Sequence, residues 1–337
     1  MIRRAAPILA LVGLLAAPAA AQVAVSGYFS LDFSLGQTQS NFSKGTFHEA
    51  QAGLLLSGAW TARLTYVLEV RSRGVSRFEV EQAWAAFGWS DAFRVRAGLY
   101  LVPFGKYNVS ARPFETRLVS APLPIGEAFP SSWRDLGLLA DGRSGFLTYS
   151  AYIGNGLAEG EDLRAGQQFA DNNRNKGYGG RLGFLLSDAF EVGLSYYKGR
   201  IDAANERGLT LKGADLTWAS ARLHLSGEYI RADVENPAPF SQGTAEGWFV
   251  LGTYALGVLS PFVAYETFDY EDAFHGPGFA APLTAGLGVF DKRRLWAFGL
   301  TATVNTNILL KVEYDVHKES DLELRNNVFR AQAAVHF

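Results

Sequence analysis

Basic residues at alternate positions are the first chemically informative feature of this 337-residue chain. In "FRVRAGLYL", Arg94 and Arg96 stand two residues apart. In a strand that spacing puts both side chains on one face, roughly 7 Å apart. The segment that follows, 102–134, reads "VPFGKYNVSARPFETRLVSAPLPIGEAFPSSWR". Its charges are mostly basic: Lys106, Arg112, Arg117 and Arg134 against Glu115 and Glu127. Arg63, Arg71, Arg181 and Arg330 fall on the polar sides of other alternating segments. Guanidinium forks suit carboxylate and phosphate oxygens, and rings of Arg and Lys are how pores favour anions. The predicted chemistry is attraction of small anions, with no bond made or broken. The opposing reading pairs these arginines with Glu69, Glu191, Glu228 or Glu313 and leaves a field of mixed sign.

Other chemistries find little support. None of His48, His224, His275, His317 and His336 accompanies a G-x-S-x-G nucleophile setting. A barrel enzyme is therefore the remote alternative. Two oxygen-rich stretches hold Glu159, Glu161, Asp162 and Asp171, and Asp269, Glu271, Asp272 and His275. Neither has calcium-loop spacing, and both read as solvated loops. No metal and no cofactor is expected. A formal net charge of −2 shows none of the basic excess of a nucleic-acid binder. The chain has no cysteine, which in an exported protein of this size fits a Gram-negative envelope.

The elements that must position these charges are strands. "VAVSGYFSLDFSL" sets Val23, Val25, Phe29, Leu31, Phe33 and Leu35 on one face, and Ser26, Tyr28, Ser30, Asp32 and Ser34 on the other. "TARLTYVLEVR", "ARLHLSGEYI" and "ILLKVEYDVHK" repeat the pattern. Runs of about ten residues match a tilted strand crossing a bilayer. Short turns fall at 57–59, 89–93, 141–145, 187–190, 218–220, 256–258 and 305–307, and longer polar loops lie between them. The fold class this predicts is all-β: a transmembrane antiparallel up-and-down barrel of about sixteen strands, both termini at the short-turn end. Two stretches, "FEVEQAWAAFGW" and "YALGVLSPFVAYE", fit no single face assignment. Tryptophans near strand ends, such as Trp60, Trp89, Trp218, Trp248 and Trp296, read as an aromatic girdle, which a soluble sandwich does not require.

The two ends agree with this. "MIRRAAPILALVGLLAAPAAAQ" has a basic start, a short apolar middle and an A-x-A site, so 1–21 reads as a signal peptide and 22–337 as the barrel. The closing "NNVFRAQAAVHF" alternates up to Phe337. A last strand closing on the first leaves no edge in lipid. Its terminal Phe also resembles the signal read by outer-membrane assembly machinery. A sixteen-strand barrel encloses water and needs a constriction to select solutes. Segment 102–134 carries Pro103, Pro113, Pro122, Pro124 and Pro130, which exclude a strand or long helix. It reads as the third long loop, folded into the lumen.

"FRVRAGLYLVPFGKYN", followed by the proline-rich loop and later by "NKGYGGRLGF", resembles the porin O and P family of phosphate-selective outer-membrane porins. The resemblance is strongest over 93–108, where Pro103, Phe104 and Gly105 match. It implies a sixteen-stranded homotrimeric channel with a folded-in third loop and a basic lumen. Lys106 is the single lysine of this loop, where phosphate-specific members carry a lysine-rich one. The expected protein sits in the Gram-negative outer membrane among its lipid, exported through the periplasm. It passes small hydrophilic solutes with a lean to anions, phosphate among them. A closed-lumen adhesin or receptor barrel is the alternative.

Overall fold

A computed structural model describes residues 23–74, 77–276, 292–319 and 323–337. The expected signal segment, 1–21, lies outside the described residues. The period-two runs form strands, beginning with β1 (Val23–Gly36), β2 (Thr46–Ala59), β3 (Leu64–Arg73) and β4 (Arg77–Ser90). Next come β5 (Phe93–Leu101), β6 (Arg134–Ser144), β7 (Leu147–Gly154) and β8 (Gly177–Ser187). The second half holds β9 (Phe190–Arg200), β10 (Gly208–Ala219), β11 (Leu223–Val234) and β12 (Gly243–Tyr254). It ends with β13 (Leu259–Asp272), β14 (Lys292–Asn305), β15 (Ile308–Glu319) and β16 (Val328–His336). Every strand pairs antiparallel with its sequence neighbours, and β16 pairs with β1 to close the barrel.

Closure extends to Phe337. Phe337 and Gly27 exchange both backbone hydrogen bonds, at 3.0 and 3.1 Å. The Phe337 carbonyl and N–H thus extend the β1–β16 ladder instead of being left unpaired.

Side-chain alternation follows the expected sense along β1. Ser30, Asp32 and Ser34 are buried inward, whereas Val25, Phe29 and Leu35 are exposed on the outer wall. The ambiguous stretch of β4 has a specific cause. Glu69 pairs with Gln82 but Val70 pairs with Val80, so Glu81 is an extra residue in the ladder. A bulge of this kind flips the side-chain phase. Glu79 and Glu81 turn inward before it, and Gln82, Trp84 and Ala86 after it.

Polarity inverts at the long-loop ends of β10 and β11. Leu209, Leu211, Ile230, Ala232 and Val234 point inward and are buried, while Lys212, Arg231 and Asp233 point outward. The inward residues have an apolar partner. Loop 102–133, here L3, enters the lumen with Val102, Phe104, Ile125, Phe129 and Trp133. These pack with Tyr197, Leu211, Ile230 and Phe249 in one dry cluster inside the barrel. L3 also contains a 3-10 turn at Asn108–Ser110 and a short helix, α1 (Leu123–Ala128).

Candidate functional site

L3 leaves β5, crosses the lumen and is held on the far wall by hydrogen bonds to its backbone. Gly105 has φ +63, and a Cβ there would lie 2.1 Å from a Glu228 oxygen. Only glycine fits both the conformation and the approach. The turn it makes lets Glu228 Oε1 accept the N–H groups of Lys106 (2.7 Å) and Tyr107 (2.6 Å). On β13, Glu266 accepts the Leu123 N–H at 2.6 Å, satisfying an orphan donor at the start of α1. On β15, Glu313 accepts from the Val119 N–H (2.7 Å) and from the Ser120 hydroxyl (2.8 Å). Lys311, also on β15 and buried, donates to the carbonyls of Pro113 (2.6 Å) and Leu118 (3.4 Å). Three carboxylates on alternate strands thus satisfy loop N–H groups that a strandless segment cannot pair itself.

The arginines named from sequence are nearly all matched to acids. Arg94 and Arg96 share Asp141 at 2.5 and 2.9 Å. Arg112 forks onto Glu69 at 2.9 and 2.7 Å and reaches Glu115 at 3.2 Å. The Glu69 hydrogen bond holds its guanidinium above the ordinary arginine range. Lys106 Nζ lies 2.5 Å from Glu191. Arg71 meets Glu81 at 2.8 Å, Arg181 meets Asp215 at 2.5 Å and Glu191 at 2.9 Å, and Arg330 meets Asp315 at 2.6 Å. The opposing sequence reading therefore describes Glu69 and Glu191 directly, whereas Glu228 and Glu313 chiefly serve L3.

Two residues lie elsewhere than the sequence led us to expect. Arg63 falls in the exposed β2–β3 turn, because the strand starts one residue later, at Leu64. Arg134 opens β6 and is buried against β4, with Nη2 2.9 Å from Glu79 and Nη1 2.9 Å from the Val80 carbonyl. Its role there is to tie L3's exit to the wall. Arg117 is the L3 cation that makes no ion pair among the described residues.

Two vestibules flank L3. One, of about 490 Å³, is lined by Lys106, Arg117, Glu191 and His224 and by the β8–β9 turn, so it opens at the short-turn end. The other, of about 370 Å³, is lined by Asp32, His48, Arg71, Arg73, Ser132 and Arg330. Tyr107 and Thr116 line both. They mark where the two spaces approach each other across L3.

Sequence reasoning did not single out Glu266 or Lys311. A signal existed for Glu266: the inward positions of β13 run Phe262, Ala264, Glu266, Phe268, a lone carboxylate among apolar neighbours. A buried charge in such a row needs a donor, and L3 provides it.

Residues 6–332 match the family described as Gram-negative porin. An uncharacterized protein of Aquifex aeolicus (strain VF5) is 27% identical over 287 residues, 75% of this chain; the chain spans 64% of that relative's length. The trimer form of OmpT, an outer membrane protein of Vibrio cholerae, is similar in fold. It has a TM-score of 0.67 at 12% identity over 95% of this chain and 100% of that one. The anion-selective porin from Comamonas acidovorans has a TM-score of 0.67 at 10% identity over 94% of this chain and 99% of that one. With a family match across nearly its whole length, and a closed sixteen-strand barrel to carry it, the chain belongs to the Gram-negative porins of the outer membrane.

Proposed function

We propose that the protein is a homotrimeric diffusion channel for small hydrophilic solutes with a modest preference for anions. The observation that carries this is the pair of vestibules, one on each side of L3, that share Tyr107 and Thr116 as lining residues. The anion preference rests on Arg117 in one vestibule and Arg73 in the other. Arg73 bonds to Ser131 and Ser132 and has no carboxylate at ion-pair distance among the described residues. Most remaining arginines are already forked onto acids, so a phosphate would meet few open donors. That favours a weak, general preference over phosphate specificity, and it makes kinship with porins O and P rest on 93–108 and Gly105. The trimeric form of the similarly folded Vibrio protein supports the trimer. Export by 1–21 and recognition of Phe337 by assembly machinery complete the proposal.

The test is the reversal potential of the purified protein in a planar bilayer under a salt gradient. An anion-selective sign is expected. A cation-selective sign would overturn the preference, and absence of conductance would overturn the channel.

A further inference from the structure

The vestibule at the short-turn end has an apolar side. The inward positions of β12 run Ala245, Gly247, Phe249, Leu251 and Thr253, with no charge among them. Phe249 belongs to the large apolar cluster that packs L3. Leu118 of L3 is buried in a second cluster with Phe262, Ala264, Leu295 and Ala297 of β13 and β14. Leu251 packs against both clusters and remains partly open. Tyr107 is also partly open, and its ring meets the edge of Phe249 with centroids 6.3 Å apart. Leu185, at the short-turn end of β8, is a third partly open apolar side chain. Packing of L3 therefore uses up Phe249 and Leu118, but it leaves Tyr107, Leu185 and Leu251 facing the vestibule.

The charged groups of the same space largely cancel. Glu191 is held by Lys106 at 2.5 Å and by Arg181 at 2.9 Å, and Glu115 by Arg112 at 3.2 Å. His224 adds a polar ring on β11, and Asp188 lies in the β8–β9 turn at the rim. Arg117, on L3 itself, makes no ion pair among the described residues. A solute inside this vestibule thus meets one open guanidinium and an apolar wall. That combination selects by chemistry. A single guanidinium fork matches one planar carboxylate. It cannot replace the hydration of a doubly charged phosphate, and the apolar wall supplies no further donors. An aromatic ring gains from leaving water and can pack edge to face on Tyr107.

We propose that this vestibule is a subsite for aromatic monocarboxylates. Arg117 takes the carboxylate, and Tyr107, Leu185 and Leu251 take the ring. The inference rests on the reading of the vestibule as part of the solute path, so binding is measured apart from conduction.

The experiment uses the folded full-length barrel in neutral detergent. Benzoate, acetate, benzyl alcohol and inorganic phosphate are titrated by ligand-observed NMR, with empty micelles as the blank. Benzoate should bind about tenfold more tightly than acetate, which lacks the ring. It should also bind about tenfold more tightly than benzyl alcohol, which lacks the charge. Arg117→Gln should bring benzoate down to the level of benzyl alcohol, and Leu251→Thr should narrow the benzoate-to-acetate ratio severalfold. If the Leu251 variant does not fold, Tyr107→Ser is titrated with the same expectation. Equal binding of benzoate and acetate overturns the proposal, as does unchanged benzoate affinity in Arg117→Gln. Displacement of benzoate by an equal concentration of phosphate would make Arg117 a general anion site and overturn it too. In a planar bilayer, benzoate added on the short-turn side should interrupt single-channel current. Benzoate binding without any conductance would count against the channel and leave the subsite standing; conductance without benzoate binding would do the reverse.

Discussion

Glu313→Ala isolates what holds L3 to the wall. The carboxylate accepts three hydrogen bonds from two consecutive loop residues: Val119 N–H at 2.7 Å, Ser120 N–H at 3.3 Å and the Ser120 hydroxyl at 2.8 Å. A hydrogen bond to a charged group contributes about 1.5–3 kcal/mol net. Three to one carboxylate do not add fully, and water from the adjacent vestibule can solvate the freed N–H groups. We therefore take a cost of about 2 kcal/mol, which raises the detached population of this part of L3 roughly 30-fold. The barrel itself should stay closed, because residue 313 pairs with Gly299 and Arg330 through its backbone. Hydrogen exchange at Val119 and Ser120 should accelerate by about that factor, with strand amides unaffected and single-channel current noisier. Unchanged protection at both amides would refute the latch. So would loss of the folded barrel, since it would mean that Glu313 holds the wall and not the loop.

Other perturbations have defined outcomes. Arg117→Glu, in a vestibule where Arg117 makes no ion pair among the described residues, should move the reversal potential toward cations; an unmoved potential would remove Arg117 from the selectivity argument. Charge reversal at both Arg94 and Arg96 sets two glutamates beside Asp141, now paired with both arginines. It should shift selectivity toward cations and lower barrel stability in urea, and unchanged selectivity would show that these residues do not shape the field. Deleting Phe337 removes both hydrogen bonds to Gly27. Folding into lipid vesicles, followed as heat-resistant electrophoretic mobility, should slow severalfold, and wild-type kinetics would show that closure does not depend on this residue.

Strand number, order and termini were legible because one signal repeats: side chains alternate with period two wherever lipid meets one face. "VAVSGYFSLDFSL" and "NNVFRAQAAVHF" carried it clearly, and they are the two strands that close the barrel. The signal failed at "FEVEQAWAAFGW" because the extra residue at Glu81 shifts the phase by one, and no local residue type announces a bulge. Pro261, the other doubtful point, lies near the start of β13, where a missing donor is tolerated. The partners of the arginines were not legible. Arg94 meets Asp141 across the β5–β6 ladder, and Arg112 on L3 meets Glu69 on β3. Choosing these acids requires strand register and the path of L3, which a single chain does not encode locally. The inverted ends of β10 and β11 went unread for a related reason: an inward apolar residue looks like an outward one until the loop that covers it is known.

The apolar cluster inside the barrel gives the proposed solute route a shape. Phe104, Phe129 and Trp133 with their wall partners occupy the loop-end space beside β9–β12, so the upper vestibule is displaced toward β1–β3 and β16. The lower one lies against β8–β12. A solute taking the proposed path would enter near one wall, turn at Tyr107 and Thr116 and leave near the other. Such a passage bends. Girth limits what can enter it, but rigidity limits what can finish: a compact or hinged molecule can pivot at the turn, while a stiff rod of the same cross-section cannot.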